Sequence, residues 1–512
     1  MALALALAPT LTLTLPLPTL PTPGALEVIL LLPRGGRALL LPVLCSYVAH
    51  AVNPVEVRGR DFVDSVTGDR LMIIGVDYQP GGQGAYQPQN NEDALTNSDV
   101  CLRDAVLMQK LGVNTLRVYN LDPTLDHSKC ASIFNAAGIY MLLDVNSPLP
   151  GESINRAEPW TSYNSDYLNR AFGIIENFKN FPNTLGFFSA NEVMNDLSTA
   201  EFNPQYIRAV QRDMKNYIKN HVNRTIPVGY SAADVREILQ DTWAYMQCAH
   251  EEDESSSDFF GLNSYSWCNG DNIQTSGYDT LANMFAESAI PVFFSEYGCN
   301  RVTPREFNEV QALYGEEMRA LSGGLVYEYS AEEAGYGLVE INQDGSVKLM
   351  QDYNNLQGQF NKLNISALES ASPQATNIKA PQCENSLITA DEFSKNFTIP
   401  AVCPGCQDLI DNGIARPQNG NLVNVDQTSV QQKVFGNSGQ QVQNLNLNIV
   451  SDGSNKPSGE TTSPSSTGGS DNNQPSQTGN SARPTGTQGA ASNIGDSSML
   501  ALISFFVCAL CL

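Results

Sequence analysis

Two stretches of the 512-residue chain join an apolar run to a terminal carboxylate: Phe187-Phe188-Ser189-Ala190-Asn191-Glu192 and Val292-Phe293-Phe294-Ser295-Glu296-Tyr297-Gly298. A carboxylate at the end of a buried strand is desolvated at a cost unless chemistry uses it. Two of them are the minimum equipment for cutting a glycosidic bond by acid/base and nucleophilic catalysis. A single strand-end glutamate is ordinarily a surface residue. Here Asn191 directly precedes the first, supplying an amide that can bond a sugar hydroxyl, and the strand count between the two fits one architecture. The pair therefore reads as the chemistry of a carbohydrate-active enzyme.

The elements that would position them lie between Val55 and Leu363. Apolar, β-branched or aromatic segments recur at Met72–Val76, Val113–Val118, Ile139–Val145, Leu185–Ser189, Ile226–Gly229, Phe259–Leu262, Pro291–Ser295 and Gly324–Tyr329. Helical spacing falls between most of them, at Asp99–Leu111 with Asn97 or Ser98 as cap, Tyr167–Phe178, Tyr206–His221, Leu281–Glu287 and Glu306–Leu321. Alternation of this kind predicts an α/β fold, a (β/α)8 barrel, with catalytic groups at the carboxyl ends of its strands. Glu192 would close the fourth strand and Glu296 the seventh. A doubly wound sheet competes, but Gly81-Gly82-Gln83-Gly84 opens no helix and so lacks the phosphate fingerprint. Arg117 and Tyr119 share strand parity and can both face the barrel interior.

Composition limits the partners. A formal net charge of −25 excludes nucleic acid and anionic lipid head groups. Four histidines leave little material for a Ser/His/Asp or His-metal site. The run Glu251-Glu252-Asp253-Glu254 lacks the spacing of a calcium loop and reads as a solvated turn. No cofactor, no metal and no obligate protein partner is expected.

The termini point to secretion. Residues 1–51 read as a signal peptide with an atypical amino-terminal extension, ending in Arg34-Gly-Gly-Arg37, an apolar stretch to Cys45 and Ala49-His50-Ala51. Residues 52–363 form the barrel, and 364–406 an associated segment with Cys383. Residues 407–498, rich in Asn, Gln, Ser, Gly and Thr, are expected to be a disordered stalk. Residues 499–512 read as the apolar tail of a GPI-attachment signal. Of eleven cysteines, Cys45, Cys508 and Cys511 fall in these signals, which leaves an even number for disulfides. Sequons stand at Asn223, Asn364 and Asn396.

Taken in order, Gly75-Val-Asp-Tyr-Gln-Pro80, Leu116-Arg-Val-Tyr119, Leu142-Leu-Asp-Val-Asn146, Ser189-Ala-Asn-Glu-Val193, Leu262-Asn-Ser-Tyr-Ser-Trp-Cys268, Phe293-Phe-Ser-Glu-Tyr-Gly-Cys-Asn300 and Ser322-Gly-Gly-Leu-Val-Tyr-Glu-Tyr329 resemble the fungal β-1,3-glucanosyltransferases of glycoside hydrolase family 72. The likeness runs from about Val55 to Cys383. It implies a GPI-anchored enzyme at the outer face of the plasma membrane or in the cell wall. Such an enzyme cuts within a β-1,3-glucan donor and passes the new reducing end to the non-reducing end of an acceptor glucan. It also implies Glu192 as acid/base and Glu296 as nucleophile, with Gln79, Tyr119, Asp144, Asn191, Tyr265, Tyr327 and Tyr336 lining sugar subsites. Disulfides Cys101–Cys130, Cys268–Cys299 and Cys248–Cys383 follow from the same resemblance, while Cys403 and Cys406 have no assigned partner.

Retention further asks for carboxyl groups ~5 to 5.5 Å apart. It also asks for an ionised nucleophile, which Tyr297 beside it and the tyrosines facing it can favour by donating hydrogen bonds. The cysteine-rich glucan-binding module of some family members is not expected, since only Cys403 and Cys406 precede the stalk. Met318–Gly323 is one residue shorter than the family's spacing. A plain endo-β-1,3-glucanase and a non-enzymatic glucan-binding wall glycoprotein remain the alternatives.

Overall fold

The computed structural model describes residues 52–250, 254–370, 373 and 377–450. The expected signal peptide, the apolar tail and most of the acidic run lie outside the described residues. Three short strands, β1 (Val55–Arg58), β2 (Asp61–Asp64) and β3 (Arg70–Leu71), form an antiparallel sheet. Eight parallel strands follow: β4 (Ile73–Tyr78), β5 (Thr115–Val118), β6 (Tyr140–Asp144), β7 (Thr184–Asn191), β8 (Val228–Ala233), β9 (Phe260–Ser264), β10 (Val292–Tyr297) and β11 (Gly323–Val326). They close into a barrel in chain order, β11 pairing with both β10 and β4. Every expected strand is present, and the architecture is the (β/α)8 barrel.

The helices outside it are α1 (Ser98–Leu111), α2 (Ser128–Ala136), α3 (Pro159–Ser162), α4 (Ser165–Phe178), α5 (Asn203–His221), α6 (Leu239–Gln247), α7 (Tyr278–Met284), α8 (Glu309–Leu313), α9 (Gln351–Phe360), α10 (Ile365–Ser370) and α11 (Cys406–Asn412). Asn97 caps α1 by accepting from the amides of Asp99 and Val100, and Gly112 ends it in the left-handed region. The helix expected over Glu306–Leu321 is cut to α8 and a 3-10 turn. Phe307 has φ +53, and Gly315 stands between the two pieces.

Inside the barrel, Leu142, Phe188, Phe259, Phe293 and Leu325 pack together. Phe62 of β2 closes the amino-terminal end with its ring 5.9 Å from Phe259 and 5.8 Å from Phe293. A Cβ at Gly229 would lie 2.3 Å from the Phe259 ring, so a bare backbone there makes room for the large phenylalanines. This apolar floor leaves only the carboxyl-terminal layer of the barrel free for polar groups.

The stalk boundary is corrected. Residues 407–450 carry α11 and two strands, β14 (Val434–Phe435) and β15 (Gln441–Val442), in one sheet with β12 (Val339–Ile341) and β13 (Val347–Leu349). Backbone bonds fix the segment to the barrel's helices, Val423 N donating to Ser132 Oγ and Val450 N to the Ala136 carbonyl. Composition misleads because few apolar residues are needed when they are spaced to insert singly: Ile410, Val434, Leu445 and Leu447 are buried. Residues 451–498 of the expected stalk lie outside the described residues.

Candidate active site

The site begins with two irregularities in the ladder. Pairing of β7 with β8 slips between Phe188 and Ala190, and pairing of β10 with β9 slips between Phe294 and Glu296. A bulge re-aims the side chains that follow it. In β10 both Ser295 and Glu296 consequently join the polar interior, while Phe294 and Tyr297 turn together into the outer core, rings 6.2 Å apart. Tyr297 is therefore not among the donors to Glu296, contrary to expectation. Glu192 leaves β7 with φ +47, a conformation unusual for any residue but glycine.

Arg117, fully buried, organises the interior. Its Nε donates to Asp144 at 2.8 Å, its Nη2 to Asn191 Oδ1 at 3.0 Å and its Nη1 to Glu296 Oε1 at 3.3 Å. The carboxylate of Asp144 is thus engaged below the cleft by the guanidinium. Tyr119 Oη donates to Glu296 Oε1 at 3.0 Å and Tyr265 Oη to Oε2 at 2.6 Å. Asn263, on β9, donates from Nδ2 to Glu192 Oε1 at 2.9 Å and to Asn191 Oδ1 at 3.2 Å. Ser295 Oγ donates to Asn263 Oδ1 at 2.7 Å, fixing which end of that amide faces the acids.

Four tyrosines wall the cleft above. The rings of Tyr327 and Tyr336 are 5.3 Å apart, those of Tyr265 and Tyr336 5.4 Å, and that of Tyr119 lies 6.4 Å from Tyr327. With the shortened spacing before β11, Tyr327 stands in this cluster, its ring also 6.2 Å from that of Tyr265. Arg305 anchors this wall, donating to the carbonyls of Tyr327 and Tyr336 and pairing with Asp352 at 2.6 Å. The amide nitrogen of Gln79 is buried with no hydrogen-bond partner among the described residues.

Burial pushes the Glu296 carboxyl up to about 7, and the nearby Glu192 charge adds to this, while Arg117, Tyr265 and Tyr119 pull it back down. Asp77, fully buried on β4 and paired in register with Arg117 on β5, is held well above the usual carboxylate range by burial and by Glu296. Sequence reasoning missed Asp77, Asn263, Ser295 and Arg305. An acidic residue inside the apolar run Ile73–Tyr78 was the readable signal for the first.

Two consequences follow for pH. Tyr265→Phe removes a bond that favours the carboxylate, so the acidic limb of the kcat/KM profile is expected to move to higher pH than in the wild type. Because the folded-state value of Glu296 lies above its unfolded one, its contribution to stability is full below the unfolded value near 4.5 and lost as pH rises toward 7. Glu296→Gln escapes that loss. Its melting temperature relative to the wild type is expected to climb between about pH 5 and 7 and then level off, as read by calorimetry.

All eight cysteines among the described residues are bonded: Cys101–Cys130, Cys248–Cys383, Cys268–Cys299 and Cys403–Cys406. Cys268–Cys299 joins the loop after β9 to the loop after β10 and so braces Tyr265 against Glu296.

A closed parallel barrel with glutamates ending its fourth and seventh strands, one gripped by an arginine and two phenol hydroxyls, defines a (β/α)8 carbohydrate-active enzyme. The family profile Glyco_hydro_72, described as glucanosyltransferase, matches residues 44–364, and the chain belongs to that family. It is 52% identical over 83% of its length, and 90% of the relative's, to 1,3-beta-glucanosyltransferase gel2 of Aspergillus fumigatus. It is 44% identical to the probable 1,3-beta-glucanosyltransferase GAS3 of Saccharomyces cerevisiae, over 76% of this chain and 78% of the relative. A mutant of Saccharomyces cerevisiae Gas2p, solved in complex with laminaritetraose and laminaripentaose, is similar in structure. Its TM-score is 0.61 at 37% identity, over 69% of this chain and 76% of that one.

Proposed function

We propose that this protein is a retaining 1,3-beta-glucanosyltransferase, cutting a β-1,3-glucan internally and joining the new reducing end to the non-reducing end of another chain. The observation that carries the reading is the seat of Glu296, whose carboxylate is aimed by Arg117, Tyr119 and Tyr265 inside the tyrosine-walled cleft. Glu296 attacks the anomeric carbon and the bond to the leaving oxygen breaks as Glu192 protonates that oxygen. Glu192 then takes the proton of the acceptor hydroxyl, whose oxygen displaces Glu296 from the same carbon. The Asn191 amide reaches the sugar 2-hydroxyl, and the buried amide of Gln79 and the rings of Tyr119, Tyr265, Tyr327 and Tyr336 bind the flanking residues. Asp144 acts by holding Arg117.

The substrate class is supported by the laminari-oligosaccharides bound to the similar Gas2p. A secreted, GPI-anchored location at the membrane or wall is supported by the terminal signals, by four disulfides and by the exposure of Asn223, Asn364 and Asn396. The test is to incubate the secreted protein with a reduced laminari-oligosaccharide and separate products by size. Products both shorter and longer than the donor are expected. Shorter products alone would make it an endo-β-1,3-glucanase, and unchanged oligosaccharide would leave a binding protein.

A further inference from the structure

Few large apolar side chains are exposed among the described residues, yet three of them, Trp160, Leu197 and Phe202, sit on two neighbouring loops of the catalytic face. Trp160 is 50% and Phe202 42% exposed. Trp160 belongs to α3, within the connection between β6 and α4, and Leu197 and Phe202 to the loop between β7 and α5, the one that carries Glu192 away from its strand. The two aromatic rings meet edge to face at 6.0 Å and 87°. Their support is firm: buried Asn203 donates from Nδ2 to the Arg156 and Thr199 carbonyls at 2.8 Å each, tying one loop to the other. Rigidly presented, half-exposed rings are costly in water unless something covers them.

We infer that the Trp160–Phe202 pair is an outer platform for the acceptor glucan, binding glucosyl residues beyond those next to the carboxylates. The inference rests on the glucanosyltransferase reading. Glu192 protonates the leaving oxygen, so its loop flanks the leaving side of the cleft, and by microscopic reversibility the acceptor enters there. An aromatic face matches the C–H face of a pyranose ring, while hydroxyls need donors and acceptors nearby. Phe202 and Leu197 line a groove of about 870 Å³ that also presents Ser198, Gln205 and Asn396. Glu201, Asp391 and Glu392 outnumber Lys395 along it, which disfavours anionic partners and is indifferent to a neutral polysaccharide.

The experiment uses the full secreted protein with one fixed donor and reduced laminari-oligosaccharide acceptors of increasing length. For Trp160→Ala and Phe202→Ala, the acceptor concentration giving half-maximal transfer is expected to rise roughly five- to tenfold with the longest acceptors. The effect should shrink as acceptors shorten, and the ratio of transfer to hydrolysis should fall with it. Trp160→Phe should restore most of the loss. Val66→Ser, an exposed apolar site at the opposite end of the barrel, should match the wild type. An equal change at every acceptor length would indicate a merely structural role and overturn the platform. No change at all would overturn it too, as would length dependence appearing only after Asn396→Gln, which would show a glycan filling the groove. If the wild type itself made only shorter products, the transferase reading would fall first and the platform with it.

Discussion

Glu296→Gln is expected to reduce turnover of β-1,3-glucan by at least about 10⁴-fold with every donor, because an amide cannot form the glycosyl ester on which both half-reactions depend. Glu192→Gln should behave differently. Loss of general acid catalysis lowers turnover of glucan by about 10² to 10⁴-fold. A donor whose leaving group needs no proton, such as an oligosaccharyl fluoride, should still load the enzyme. Comparing both variants on glucan and on the fluoride separates the roles. Equal residual loading would show that the assignments of nucleophile and acid/base are not as drawn.

Arg117→Met is the second large effect, and it should be felt twice. With the guanidinium gone, Asp144 is left as an uncompensated buried carboxylate, which costs about 3 to 5 kcal/mol of folding stability. The added change Asp144→Asn should recover much of that, measured by denaturant titration. Activity should not recover. Asn191 and Glu296 each lose one of the donors that orient them, and removal of an oriented donor from a buried site lowers turnover by about 10² to 10³-fold. Recovery of activity in the double variant would show that Arg117 serves the fold alone.

The barrel was legible because its strands are buried on both faces and read as uninterrupted apolar runs between helical stretches. Helices α2 and α6 were not read, since their buried residues extend around most of each helix and leave little contrast between faces. The two glutamates and the inward turn of Arg117 and Tyr119 were visible from strand ends and parity. The bulges were not, because one extra residue in a ladder leaves no composition mark, and they decide that Glu296 points inward and Tyr297 outward. Asn263 and Ser295 become meaningful only when β9 and β10 lie side by side. Ordering of residues 407–450 depends on where the barrel's helices offer sockets for Ile410 and Val434, which a window of composition does not record.

Double displacement requires a covalent glucosyl ester on Glu296. The most direct measurement treats the protein with a 2-fluoro-substituted laminari-oligosaccharyl fluoride, which forms the ester quickly and releases it slowly, followed by proteolysis and mass spectrometry. One oligosaccharide mass is expected on the peptide containing Glu296, and none in Glu296→Gln. An adduct on the Glu192 peptide, or fluoride release with no adduct and an inverted sugar product, would contradict double displacement at Glu296.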